Sequence, residues 1–450
     1  MEPRAETQRH LAQGVGLGYA GSSMYGNLTA GLRRLWAHVA RRFFANFFRL
    51  LLLAVSISQW VVLGRLSRTI GSLPLAAQIA GPLLIFAVNR RLAKRTREQR
   101  RDRGPVGGMP RLYYAVAFTC LFCVLFLLLT DAMWMGAKVL LGAIAVEART
   151  THHAGLRIDP ELGPAFHWLA NAGMAAVTIA FAYGYTIGQI RLRVRRFTLP
   201  LLHCPPSWNG LRIAQISDIH IGQNIDRSQL EGFVARVNGL DPDLICITGD
   251  IADSPTADLD GFLPVLAGLH ATHGVFAILG NHDHYAGADH VEASLRRLTS
   301  FTVLRDQKTA IEVKGQQLHV VGLDDHGRDW ARGETMVPHL DAALATVPAD
   351  EPVLLLSHRP DVFPQAAARG VALTLAGHTH GGQLGMPWFD GRIRNLAEFI
   401  TDFDRGLYER AGSYLYVNCG LGVTGQRIRL NTPREILIIE VQNAAAALAA

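Results

Sequence analysis

Apolar positions follow two different patterns along the chain. In the first half they come in four long runs, 43–64, 70–89, 112–135 and 166–188, each reaching about the 20 residues a helix needs to cross a bilayer. The runs are apolar all round rather than along one stripe. That disfavours a soluble bundle and predicts four transmembrane helices. Arg49 interrupts the first run and would have to snorkel toward the interface, while Pro74 and Pro82 in the second are tolerated in lipid. Beyond residue 210 the runs shorten to 211–216, 244–247, 275–279, 353–356 and 371–375, each bounded by Gly, Pro, Asp or Asn, as buried strands are. Further strands are expected at 317–323, 414–418 and 435–441, and helices at 228–238, 259–269 and 289–298. This alternation predicts one α/β domain.

The chain therefore divides into a tail (1–35), a membrane region (36–188), a Pro-containing linker (189–210), an α/β domain (211–442) and an Ala-rich, frayed end (443–450). The polar first segment lacks the charged-then-apolar layout of a secretory signal. The net charge of +7 is local: Arg clusters precede the first run, fill the loop before the third and follow the fourth. The positive-inside rule then puts the amino terminus, the middle loop and the α/β domain on the cytoplasmic side of a cell membrane. Residues 136–148 could form an interfacial or re-entrant helix, and a fifth span there would reverse the orientation. Topology accounts for the basic residues, so no nucleic-acid partner is expected. The five cysteines are too scattered for a disulfide framework, and Cys120 and Cys123 read as packing residues.

Five short clusters in the second half carry the chemistry: Asp218-Ile-His220, Gly249-Asp250, Gly280-Asn281-His282-Asp283, Ser357-His358 and Gly377-His378-Thr379-His380. Each follows a predicted strand. Loops at the carboxyl ends of neighbouring strands converge on one crevice, so the clusters can share a metal pair. Strand alternation would aim Asp218 and His220 at one ion, and likewise His378 and His380. Carboxylate, imidazole and amide donors without thiolates suit Mn²⁺, Fe²⁺/Fe³⁺ or Zn²⁺ in a reactive rather than a purely structural site. A single Asp-x-His would be a solvated surface pair; five clusters in order would leave many polar groups desolvated without a partner.

In these blocks the chain resembles the calcineurin-like metallophosphoesterases, over about residues 211–441. The stretch Gly420-Leu421-Gly422, Arg427-Ile428-Arg429 and Pro433 further resembles their bacterial membrane-attached branch, although Pro433-Arg434-Glu435 replaces a more usual Pro-Glu. The resemblance implies a four-layer α-β-β-α sandwich and two divalent metal ions. Asp218, His220 and His380 would hold one ion, Asn281, His358 and His378 the other, and Asp250 would bridge them. Asp253 would buttress a loop or cap a turn.

Two such cations would lower the pKa of a bridging water and place the resulting hydroxide in line with phosphorus. His282, beside Asn281, is expected to stabilise phosphoryl oxygens or protonate the leaving oxygen, with Asp283 orienting its ring; a purely structural role is the alternative. Between 382 and 414, aromatics mixed with charge predict a lid or membrane-facing loop, or else a helix packed by Leu396, Phe399 and Phe403. The combined expectation is a membrane-anchored phosphohydrolase cleaving a phosphodiester or pyrophosphate, with a lipid-linked substrate such as a nucleotide-sugar lipid by analogy. The competing expectation is a membrane sensor or transporter regulated by the metal-binding domain, with Asp131 and Glu147 as candidate intramembrane carboxylates. A catalytically silent scaffold would lack ligands, and none is missing. Oligomeric state does not follow from these patterns.

Overall fold

The computed structural model describes residues 49–67, 74–101, 108–150, 162–201, 204–222, 224–325, 336–348 and 350–443. The expected tail at 1–35 and the Ala-rich end past 443 lie outside them. Two compact units divide the chain, residues 1–90 and 91–450.

In the first unit, helix α1 (Arg49–Ser67) packs on the amino-terminal part of α2 (Leu75–Arg101). Asn89 Nδ2 donates to Ser56 Oγ and to Gln59 Oε1, both at 2.8 Å. Such interhelical hydrogen bonds satisfy polar groups that lipid cannot. The apolar part of α2 ends at Val88, where Asn89, Arg90 and Arg91 follow.

The second unit opens with α3 (Gly108–Thr150) and α4 (Leu162–Tyr185), followed by the single turn α5 (Ile187–Ile190). Residues 136–148 continue α3 without a break; 43 residues make a helix of about 65 Å, longer than the hydrocarbon core. The Phe122 ring packs against Phe181 of α4, tilted by 48° with 4.8 Å between ring centroids. Cys123 is buried beside Thr178, at 3.7 Å, a packing position. Asp131 is exposed, and the Glu147 side chain lies outside the description. Three of the four expected spans are seen among the described residues as helices long and apolar enough to cross a membrane, Arg49–Ser67, Met109–Leu140 and Pro164–Ile190; the second, expected at 70–89, is not, because basic residues from Arg90 onward end the apolar part of α2.

The α/β domain begins earlier than expected. The presumed linker carries β1 (Leu192–Leu201), in which Arg and Pro interrupt an alternation of Leu192, Val194, Phe197, Leu199 and Leu201. Then come β2 (Arg212–Ile216), α6 (Arg227–Asn238), β3 (Leu244–Thr248), α7 (Leu259–Leu266), β4 (Val275–Ile278), α8 (Asn281–Ala286), α9 (Ala288–Leu298) and β5 (Thr302–Val303). An Asp226–Gln229 capping box starts α6 by satisfying free amide groups of its first turn. The second half contains β6 (Gln307–Val313), β7 (Gln316–Gly322), α10 (Val337–Leu344), β8 (Val353–Leu356), α11 (Phe363–Ala368) and β9 (Leu373–Ala376). A small hairpin, β10 (Gly385–Pro387) and β11 (Ile393–Asn395), precedes β12 (Gly406–Arg410), β13 (Ser413–Val417) and β14 (Arg434–Asn443).

Two six-stranded sheets result, ordered β1-β14-β2-β3-β4-β5 and β12-β13-β9-β8-β7-β6. Their inner faces share a core that includes Leu244, Cys246, Ile278, Val320, Leu354 and Leu375. Along β3 the alternate residues Ile245 and Ile247 turn outward against α6, α7 and α9, so each strand feeds two layers. The second sheet is covered by α10 and α11. The domain is a four-layer α-β-β-α sandwich. The loops after β2, β3, β4, β8 and β9 meet at one rim.

Candidate metal centre

The backbone of this rim departs from the strand alternation that the sequence suggested. Asp218, His220, Asp250, His378 and His380 all lie outside strands at positive φ, between 50° and 72°. Left-handed geometry, not a shared strand face, aims these side chains inward, a strain of about 1–3 kcal/mol per residue that the surrounding hydrogen bonds sustain. The Asp218 and His220 amides donate to Gly249 O and Asp250 O. Gly280 is needed for closeness rather than for φ: a Cβ there would lie 2.3 Å from Asp250 Oδ1.

Three groups of side chains converge closely enough for each to hold an ion: Asp218 with His220 and His380, His220 with Asp250 and His282, and Asp250 with His358 and His378. His220 Nε2 lies 3.0 Å from His380 Nε2 and 3.6 Å from Asp250 Oδ2. On the other side Asp250 Oδ2 is 3.3 Å from His358 Nε2, which is 3.2 Å from His378 Nδ1. Asp250 thus stands between two imidazole pairs. Asn281 Oδ1 is buried without a hydrogen-bond partner among the described residues and belongs to the same cleft. A cation would satisfy that orphaned oxygen and the facing ring nitrogens, so the donor set fits divalent metals.

The supporting contacts set ring orientation. His358 Nδ1 donates to Thr248 O at 2.8 Å, which leaves Nε2 to face Asp250. His282 Nδ1 donates to the Asp253 carbonyl at 3.0 Å, and Asp253 Oδ1 lies 3.4 Å from His220 Nδ1. Asp253 therefore buttresses two rings. Asp283, expected to orient His282, instead accepts amide protons from Ile251, Ala252 and Gly280. Its carboxylate ties the Asp250 loop to the start of α8, because three amides converge on its side of the turn and the His282 ring points away.

Burial and crowding polarise the titration of the group. Burial alone would raise the Asp250 carboxyl, but the His358 and His220 rings hold it well below the usual range. Burial pulls the His358 imidazole down, yet Asp250 and Asp218 prevail and push it up to about 10. Burial, with His358 next, lowers His378 to about 3. Burial, then Asp250, raises Asp283 to about 6.

The cleft above the centre has a volume of about 340 Å³ and is lined by Asp250, Asn281, His282 and His378 together with Arg359, Leu396 and Ile400. Arg359 was missed from sequence although it follows His358 directly; Asp325, at 2.7 Å, holds its guanidinium in place. The helix expected within 382–414 reduces to a single capped 3-10 turn, Leu396–Phe399, that does not pack on the sheet: Leu396 and Phe399 are exposed, and Phe403 packs on Phe363 and Tyr408.

Residues 211–382 match the calcineurin-like phosphoesterase family. The chain is 33% identical over 253 residues to an uncharacterized metallophosphoesterase of Aquifex aeolicus, covering 56% of this chain and 92% of that protein. It is 29% identical over 273 residues to the uncharacterized metallophosphoesterase YkuE of Bacillus subtilis, covering 60% and 92%. A Bos taurus transmembrane protein with metallophosphoesterase domain is 27% identical over 345 residues, 74% of this chain and 75% of that one. The matched region begins at β2 and ends in the His378–His380 turn, so the residues that build the rim are the residues that carry the likeness, and the chain belongs to the calcineurin-like metallophosphoesterases, a family of metal-dependent hydrolases.

Proposed function

We propose that the chain is a membrane-anchored, dinuclear metal-dependent phosphohydrolase that cleaves a phosphodiester or pyrophosphate bond, with its site on the cytoplasmic side. The observation that carries this reading is the place of Asp250, one carboxylate between two histidine-bearing groups. Asp218, His220 and His380 would hold one divalent ion, Asn281, His358 and His378 the other, with Asp250 shared. Bound there, the ions supply Lewis acidity and an acidified water.

The chain's own groups do the rest. Asp253 fixes the His282 ring through Nδ1 and leaves Nε2 for the cleft, where it donates to a phosphoryl oxygen or protonates the leaving oxygen as the P–O bond breaks. Arg359 adds a fixed positive charge at the same cleft for a second phosphate or a non-bridging oxygen. Three helices fit to cross a membrane favour a substrate that is itself membrane-borne, such as a lipid-linked pyrophosphate or diester.

Purified full-length protein tests this with bis(p-nitrophenyl) phosphate against the monoester, with Mn²⁺ or chelator, beside Asp250→Asn. Diester hydrolysis and bound metal should both fall with chelator and in the variant, by about 100-fold or more for activity. Undiminished hydrolysis by metal-free protein overturns the reading.

A further inference from the structure

The β10–β11 hairpin and the turn after it carry an apolar surface that the mechanism does not use. Phe389 at the hairpin tip is 99% exposed, Phe399 87%, and Trp388 and Met386 about half. The surface is built rather than loose. Trp388 N donates to Arg392 O, Gly391 N to Trp388 O, and Arg392 N to Asp390 Oδ1, closing the tip. Arg394 clamps the two parts, donating to Asp390 and to Glu398 at 3.0 Å each. Adjacent exposed aromatics on an ordered scaffold mark a docking surface, since water gives no return for holding them out.

The attachment of this element says what covers it. Leu384, at the base of β10, packs with Phe181 of α4 and with Ile428. Gly385 N donates to Leu430 O, and Arg429 N donates to Gly184 O in the last turn of α4. The hairpin is therefore rooted where a candidate membrane span leaves the lipid. Apolar exposure continues to that level, with Ile187 51% and Ile190 72% exposed, and Arg191, Arg193, Arg195 and Arg196 follow at once. Aromatics flanked by arginine at the end of a spanning helix are the composition of the headgroup zone.

We infer that the β10–β11 hairpin inserts Trp388, Phe389 and Phe399 into the interface of the bilayer that α4 crosses. Arg392 meets lipid phosphates there. Leu396 and Ile400 of the following turn line the catalytic cleft, so the insertion holds the cleft mouth against the membrane surface and selects phosphoesters of membrane amphiphiles. The selection of substrate rests on the hydrolase reading above; the insertion itself does not.

The test uses full-length protein in vesicles of phosphatidylcholine and phosphatidylglycerol. The native cysteines are buried or half-buried, so Phe389→Cys takes an environment-sensitive fluorophore selectively. Its emission should shift to the blue and be quenched by lipids brominated near the headgroup, relative to labelled Leu169→Cys in the span. A fluorophore that stays unquenched overturns the insertion, whether bare or covered by a second copy. In parallel, Trp388→Ser/Phe389→Ser/Phe399→Ser should lose about tenfold on vesicle-borne hexadecyl p-nitrophenyl phosphate but stay within about twofold on bis(p-nitrophenyl) phosphate. Equal losses on both esters overturn the selection role. If the unmodified protein cleaves neither ester, the hydrolase reading fails and quenching alone decides the insertion.

Discussion

At the residue scale, the site is built by conformations that side-chain identity does not announce. Asp and His tolerate the left-handed region better than β-branched residues, and the five site residues found there lie in short loops pinned by neighbouring carbonyls. Two other histidines of the rim differ in their surroundings: His358 is fixed by Thr248 O, whereas His282 is fixed by Asp253 and partly exposed to the cleft. A cleft-facing group of that kind should act on the substrate. His282→Ala is expected to lower kcat by about 10²–10⁴-fold while metal content stays at the unmodified level, measured by steady-state kinetics and elemental analysis. A parallel loss of metal would make His282 a ligand. The donor clusters that converge at the rim were legible in sequence because each donor type is chemically distinctive. The partners of Asp253 and Asp283 were not, because a hydrogen bond across about 30 residues depends on how two loops meet.

At the element scale, the loop between β13 and β14 joins the membrane helix to the metal site. Arg429, fully buried, donates to Cys419 O, Gly420 O and Gly422 O through one nitrogen and to Thr432 O and Pro433 O through the other. Gly422 N in turn donates to Asp218 O at 2.6 Å. Arg434 reaches back to Gln189 and Leu421. This gives the motif Gly420-Leu421-Gly422 with Arg429 a physical role: one guanidinium fork satisfies the carbonyls of the β13–β14 loop that is hydrogen-bonded to the Asp218 turn. Arg429→Met should leave those carbonyls unpaired and destabilise the protein by about 3 kcal/mol, seen as a lower midpoint in denaturant.

Neighbouring Glu435 has the opposite character. Burial raises its carboxyl despite the Tyr416 hydroxyl at 2.7 Å and nearby Arg195. A carboxyl whose folded pKa is raised binds its proton more tightly when folded, so its contribution falls as pH rises from the unfolded value through the raised one. Glu435→Gln, which cannot ionise, should flatten that part of the stability curve and raise Tm at neutral pH relative to the unmodified protein. An unchanged pH profile would assign the carboxylate no such cost.

For the whole molecule, the spanning helices and the sandwich answer different solvents. Leu128, Leu129, Trp168 and Ile179 are exposed along α3 and α4, where lipid would cover them, while the domain buries Leu, Ile and Val between its sheets. The proposed orientation rests on charge rather than packing. A fluorescent protein fused after Ala450 should mature in the cytoplasm, and an alkaline phosphatase fused there should stay inactive; an active phosphatase would place the site on the other side.

Taken by itself, the sequence determined the long apolar helices of the first half, the α/β domain and the clusters of metal-capable donors, because periodicity and donor chemistry are local properties of the chain. It did not determine β1, whose alternation Arg and Pro obscure until β14 pairs with it in parallel over the whole strand. Nor did it decide the left-handed loops, the pairing of Asp253 with His220 and His282, or the rooting of the β10–β11 hairpin on α4. Those depend on which distant segments meet, and only the folded chain brings them within hydrogen-bonding reach.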